Sequence, residues 1–235
     1  MIRHIRHEDM AHLQHGWLDT RHHFSFASYY NPDNMNFGKL RVLNDDYVRP
    51  KTGFELHPHE DMEIISYVVE GELTHGDSIG NRQTLTRGQV QYMSAGTGIW
   101  HSEHNLGDEV LHFLQIWILP DAEGHKPNYG GHAFAFEDRI GKWLPLATSA
   151  EAPKNDAPIR LHQDMHAYAT LIPAGQSLGF AVGAGRQAYM ILIEGEATVN
   201  GIAARTKDAF EIVEEDITVE AGTDAHLVLL EMAKG

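Results

Sequence analysis

The chain has 235 residues, 42% of them hydrophobic, with a net charge of −15 and no cysteine. That length provides for two modest domains or one large β domain. The charge excludes a generally basic surface of the kind nucleic acids and anionic membranes require, and the lack of cysteine excludes disulfides and thiolate-zinc sites. No apolar run reaches transmembrane length, and the start, Met1-Ile2-Arg3-His4-Ile5-Arg6-His7-Glu8-Asp9, has no apolar signal core. The expectation is a soluble cytoplasmic protein, read as a monomer, without a nucleic-acid or membrane partner.

In chain order, residues 1 to about 20 read as a polar arm. The aromatic-rich stretch Arg21 to Tyr30 follows, with His22-His23 read as part of an arm covering the first barrel, and Asn31-Pro32-Asp33 marks a turn. Leu40 to Asp46 reads as a strand ending in a turn. From Gly53 the pattern is short strands broken by glycine turns. Ile64 to Val69 is β-branched and aromatic, a strand signal. Val110 to Leu119 is a nearly continuous apolar run, expected of a strand packed on both faces, and Pro120 stops it. Residues 120 to 160 carry much of the proline, including the polar stretch 148 to 158, and the domain boundary is placed early in this region. Short strands resume from Ala167 to Met232. The acidic run Glu211 to Asp216 reads as a solvated turn.

An internal repeat is visible. Val69-Glu70-Gly71-Glu72-Leu73-Thr74 matches Ile193-Glu194-Gly195-Glu196-Ala197-Thr198. The later strands Val110 to Trp117 and Asp224 to Glu231 pair at a slightly shorter offset. The rhythm suggests two β domains of one architecture. Carried across, His57 and His59 fall on Ala181 and Gly183, and His101 and Glu103 fall near Glu215 and Ile217. The second half therefore lacks the ligands of the first.

The chemistry concentrates in the first half. His57-Pro58-His59 places two imidazoles at i and i+2, on one face of an extended chain. His101-Ser102-Glu103 repeats the spacing after the small-residue run Ser94 to Gly98. If both strands face one interior, three imidazoles and a carboxylate converge, a metal site of borderline and hard ligands. His104, at odd spacing from His101, falls on the opposite face. His75 and His112 read as satisfied core groups.

Gly53, His57, His59, Glu63 and Gly71, then Gly88, Gly96, His101 and Asn105, resemble the two-part cupin signature. The finer resemblance is to pirins, the two-cupin branch. It rests on His57-Pro58-His59, Glu63 to Gly71, Ser94 to Gly98, His101-Ser102-Glu103, Phe24 to Pro32 and Arg41 to Asp46. It is strongest over residues 16 to 119, with a weaker match at His162-Gln163-Asp164-Met165. It implies an all-β fold of two jelly-roll-like cupin barrels packed face to face, 1–135 and 136–235, with metal in the first alone. In many cupins the carboxylate ligand stands at the position of Glu63; in pirins it stands two after the last histidine, at Glu103. The implied ligands are His57, His59, His101 and Glu103. Three neutral imidazoles and one carboxylate leave a divalent ion at net +1, with two open positions if octahedral. Fe(II) is expected, with Mn, Ni, Co, Cu or Zn compatible with the same ligands.

Some bacterial pirin-like proteins oxidise quercetin. The resemblance thus implies a dioxygenase that opens the ring of a flavonol or related enol with O2 and releases CO, with Glu103 as the catalytic base. Phe54, Met62, Met93 and Trp100 are the candidate substrate contacts. The alternative is a redox- or metal-responsive regulatory pirin that binds a protein partner without turnover.

Overall fold

The computed structural model describes residues 1–152 and 157–235. Part of the expected proline-bearing stretch 148–158 lies outside the described residues. The first strands are β1 (Ile2–Ile5), β2 (Ala11–Gln14), β3 (Leu18–His22), β4 (Leu40–Val48), β5 (Thr52–His59) and β6 (Glu63–Glu70). They are followed by β7 (Glu72–Asp77), β8 (Arg82–Thr86), β9 (Val90–Ser94), β10 (Ile99–Asn105), β11 (Leu111–Ile118) and β12 (Asn128–His132). The later strands are β13 (Leu144–Ser149), β14 (Ile159–Leu161), β15 (Met165–Ile172), β16 (Ser177–Phe180) and β17 (Arg186–Glu194). The last are β18 (Glu196–Val199), β19 (Ile202–Arg205), β20 (Ala209–Val213), β21 (Ile217–Ala221) and β22 (Ala225–Ala233). Among the described residues, no helix is long and apolar enough to cross a membrane.

Two compact units result: Ala11–Phe136, and Met1–Met10 with Glu137–Gly235. The first ten residues, expected in the first domain, thus belong with the second. The reason is pairing: β1 runs antiparallel to β20, with Ile2 opposite Ile212 and Ile5 opposite Ala209. Asp208 anchors this edge. It accepts the His7 backbone N–H at 2.9 Å and lies 3.0 Å from His4 Nε2. Arg3 adds a fork to Glu211. This pairing also corrects the reading of the acidic run, since Glu211 to Val213 complete β20 and only the residues beyond form the turn.

Each unit has a seven-stranded and a four-stranded sheet, and their orders correspond. The first unit runs β12-β9-β6-β11-β4-β3-β2 and β5-β10-β7-β8. The second runs β1-β20-β17-β22-β15-β13-β14 and β16-β21-β18-β19. The Glu-Gly-Glu repeat sits at the same hairpin in both. Gly71 and Gly195 turn the chain at φ 78° and 95°, where a Cβ would be strained and would also meet a neighbouring backbone. The expected long apolar strand is β11, buried along nearly its whole length between β4 and β6. His22 ends β3, a strand of the barrel wall rather than an arm laid over it.

The correspondence also explains why the units differ. In the first, His57 opposes His101, His101 opposes Asp77, and Glu103 opposes His75. In the second, Phe180 opposes Ile217 and Val219 opposes Val199. Strand register therefore puts Phe180, Ile217, Val219 and Val199 where the first unit has His57, His101, Glu103 and His75. Ile217, Val219 and Val199 belong to a continuous apolar core with Phe210, Leu227 and Leu229, and Phe180 packs against it. Side chains fill the second barrel. This corrects the linear mapping of His101 onto Glu215, which instead pairs with the chain's N-terminal amine at 2.6 Å.

Candidate metal centre and its cavity

β5 and β10 build the centre. His57 and His101 are cross-strand partners, so alternation directs both inward, and His59 follows two residues on. The three rings form a close cluster. Ring centroids lie 4.8 Å apart for His57 and His59, 4.5 Å for His57 and His101, and 4.8 Å for His59 and His101. Their ligand nitrogens can all lie within 4.8 Å of one another. Between His101 and Glu103 the register of β5 shifts, so that Glu103 opposes Phe54. This bulge leaves Glu55 and Leu56 both exposed and lets Phe54 and His57, three residues apart, share the inward face. Gly53 is required there, because a Cβ would collide with the Glu103 carbonyl oxygen and the His104 backbone.

His59 and His101 are poised as neutral donors of lone pairs. Burial pushes His59 and His101 down to about 3, and the neighbouring imidazoles add to the effect. Both ring nitrogens of His101 and Nε2 of His59 are buried without a hydrogen-bond partner. His57 Nδ1 lies 2.7 Å from the Glu55 carbonyl oxygen, so it donates there and leaves Nε2 as the lone-pair atom. Orphaned, buried imidazole nitrogens are costly unless something occupies them. A divalent ion of borderline softness suits this donor set.

Glu103 is buried and held from the opposite sheet. Ser66 Oγ donates to Oε1 at 2.7 Å, Gln91 Nε2 donates to the same oxygen, and Gln115 Nε2 donates to Oε2 at 2.6 Å. Gln91, Ser66, Gln115, Asn44 and His22 form one polar row across β9, β6, β11, β4 and β3. The sequence reading missed these residues. Their signal was available: Ser66 and Gln115 interrupt otherwise apolar strands, and a buried polar group in such a run has a partner or a role.

The alternative carboxylate, Glu63, is buried and accepts a hydrogen bond from Tyr92 at 2.6 Å. It faces away from Ser66 on β6. Its even spacing from His59 does not bring it to the imidazoles because the chain turns at Asp61, with φ 44°, and changes sheet. His75 joins His101 and Glu103 in a second, overlapping cluster whose ligand atoms lie within 4.8 Å. Its Nε2 faces Asp77 at 3.0 Å and its ring stacks on Tyr129, while Nδ1 is buried and unpartnered. It is therefore only half satisfied, unlike the core group expected from sequence. His112 is paired with Asp45 at 2.5 Å and stacked on Tyr47. His104 turns outward to Glu55.

A cavity of about 680 Å³ opens beside His57, His59 and Glu103. Phe54, Trp17, Phe26 and Trp117 supply its aromatic wall, and Asn44, Asp46 and Gln115 its polar edge. Of the expected substrate contacts only Phe54 lines it. Met93 packs in a buried cluster with Ile64, Ala95 and Ile99, and Met62 packs against that cluster. Trp100 is half exposed, opposite Pro58. Strand alternation, which points His57, His59 and His101 inward, turns Trp100 outward, while Met93 and Met62 are taken up by packing in that apolar cluster.

Residues 4–118 match the Pirin family and residues 148–232 the quercetinase C-terminal cupin domain. The chain is 45% identical to a pirin-like protein of Caulobacter vibrioides, covering 93% of this chain and 94% of that protein. It is 40% identical to quercetin 2,3-dioxygenase of Escherichia coli K12, covering 95% of each. The crystal structure of the bacterial pirin YhhW in complex with nickel(II), from Escherichia coli, superposes with a TM-score of 0.92 at 38% identity over the whole of both chains. With two corresponding cupin units and relatives of this similarity over nearly its full length, the chain belongs to the pirin family.

Proposed function

We propose that the protein is a metal-dependent dioxygenase that opens the ring of a flavonol such as quercetin with O2 and releases CO. The observation that carries this reading is the cluster of three imidazoles, with buried, unpartnered nitrogens on His59 and His101, at the wall of an aromatic-lined cavity. The volume lies within the range of small-molecule sites, and its apolar wall with a few convergent polar groups suits a flat aromatic substrate. The names and nickel complex of the similar proteins support it.

In this reading His57, His59, His101 and Glu103 hold one divalent ion, with Fe(II) the first candidate. When bound, the ion would supply Lewis-acid polarisation of substrate oxygens. Phe54, Phe26, Trp17 and Trp117 hold the ring system and exclude water from it. Glu103 takes the proton of the flavonol 3-hydroxyl, oriented for that transfer by Ser66, Gln91 and Gln115. Both atoms of O2 enter the products, and one ring carbon leaves as CO.

The test is oxygen consumption and CO release from quercetin. The protein is stripped of metal and reloaded separately with Fe(II), Mn, Co, Ni, Cu and Zn, with His57→Ala and Glu103→Gln alongside. Metal-dependent turnover lost in both variants is the expected result. No turnover with any metal, despite binding that His57→Ala abolishes, would overturn the reading and favour a regulatory pirin.

A further inference from the structure

The cavity contains a polar edge that the proposed chemistry does not use. Asn44 and Asp46 lie two residues apart on β4, so both side chains face inward. Both line the cavity and both are almost completely buried, at 3% and 1% exposure. Asn44 Oδ1 and Asp46 Oδ1 have no hydrogen-bond partner. Trp117, on the neighbouring β11, also lines the cavity, and its Nε1 is a third buried polar atom without a partner. Its ring meets His59 edge-on at 4.7 Å, so it spans the distance between this edge and the imidazole cluster.

Three orphaned polar atoms around one cavity are expensive in an empty fold. Gln115, which pairs with Asn44 across the strands, donates to Glu103 and shows what an engaged group in this row looks like. The contrast separates two jobs along one row: Ser66, Gln91 and Gln115 hold the carboxylate, whereas Asn44 and Asp46 are left for an occupant.

We propose that Asn44 and Asp46 are specificity-determining residues that read the phenolic hydroxyls of the substrate. This rests on the flavonol reading above and adds which flavonols the site accepts. The substrate class is a planar aromatic that carries free hydroxyls beyond the 3-hydroxy-4-keto edge directed at His57, His59 and His101. Asn44 Oδ1 accepts from such a hydroxyl. Asp46 does the same when ionised and donates when protonated; burial, reinforced by the nearby charges of Asp45 and Glu103 and offset in part by Thr20, raises its carboxyl to about 8. Trp117 Nε1–H donates to a substrate oxygen. A site built to hydrogen-bond a hydroxyl discriminates strongly against the analogue without it, because its own buried groups stay unpaired.

The test uses zinc-loaded protein without oxygen, titrated with quercetin and with 3-hydroxyflavone, which keeps the chelating edge but has no other hydroxyl. Absorbance and tryptophan quenching report binding. The wild type is expected to bind quercetin at least about tenfold more tightly, the equivalent of one good hydrogen bond. Asn44→Leu and Asp46→Leu are expected to bring the two affinities within about twofold of each other by weakening quercetin binding. Asp46→Asn, which keeps the polar group, should retain discrimination. If either leucine variant fails to fold by circular dichroism, Asn44→Ala or Asp46→Ala carries the same test. A wild-type ratio retained in both positions' variants overturns the inference while leaving the flavonol reading intact. Binding of neither ligand to wild type removes the flavonol reading and this inference together.

Discussion

Glu103 and Gln115 lie on different sheets of the first barrel, yet Gln115 Nε2 donates to Glu103 Oε2 across 2.6 Å. Ser66 Oγ donates its one proton to Glu103 Oε1 at 2.7 Å and lies 3.3 Å from Gln115 Oε1. The carboxylate is therefore held by donors from β6, β9 and β11, and its orientation is a property of the barrel, not of β10 alone.

Gln115→Leu removes the donor on Oε2 and leaves the three imidazoles untouched. Groups that orient a ligand are typically worth 10- to 100-fold in metal affinity or activity. Quercetin turnover by the metal-loaded protein is expected to fall by about that factor, with His57-dependent metal binding retained. Unchanged kcat and KM would show that Glu103 needs no support from β11.

His101→Ala removes the ring common to both ligand clusters. Bound metal, measured by elemental analysis after dialysis, is expected to fall from roughly one ion per chain to near zero. His104→Ala, one face away, should leave it unchanged. Equal loss in the two variants would contradict the strand alternation on which the site rests.

Asp46 makes stability depend on pH. Burial raises its carboxyl to about 8 in the folded protein, whereas the unfolded chain ionises near 4. Between these values the folded state binds the extra proton, so this contribution is complete below about pH 4 and is lost as pH rises through about 8. Asp46→Asn removes the loss. Its melting temperature should exceed the wild-type value by roughly 10 °C or more at pH 9 and match it near pH 4. A constant difference across that range would exclude Asp46 as the titrating group.

Gly53→Ala forces a Cβ into the backbone of β10 beside Glu103. Overpacking of this kind costs roughly 3 kcal/mol, readable in urea unfolding. A loss below about 0.5 kcal/mol, within the range of ordinary surface changes, would mean that the bulge relaxes freely.

Ile217 occupies, by strand register, the second-barrel position that His101 holds in the first. Ile217→Ala leaves a cavity in an apolar core and should cost about 2–5 kcal/mol, with metal content unaltered. Lower metal content would indicate that the two barrels are coupled.

Much of the fold was legible because the repeat and the glycine turns are local signals. Gly71 and Gly195 mark equivalent hairpins in a linear reading, and β11 announces itself by composition. The imidazole cluster was legible for the same reason: i, i+2 spacing fixes the face of an extended strand, whatever the strand pairs with. What resisted reading depended on partners distant in the chain. β1 looks like a polar arm until β20 is beside it. Glu63 has the right parity but the wrong sheet, because one turn at Asp61 resets the alternation. Trp100 and Met93 are near the ligands in sequence but not in the cavity.

By itself the sequence determined two β domains of one architecture, the inward-facing histidine pairs of the first half, and that the spacing of those pairs does not recur at the matching positions of the second. These follow from side-chain period and turn chemistry, which act over a few residues. Only the tertiary structure decided what surrounds Glu103, which aromatic residues wall the cavity, and that Asn44 and Asp46 stand unpartnered within it. Those are outcomes of cross-strand register between segments tens of residues apart. A register is set by the packing of whole sheets, and a shift of one residue would turn each of these side chains to the opposite face.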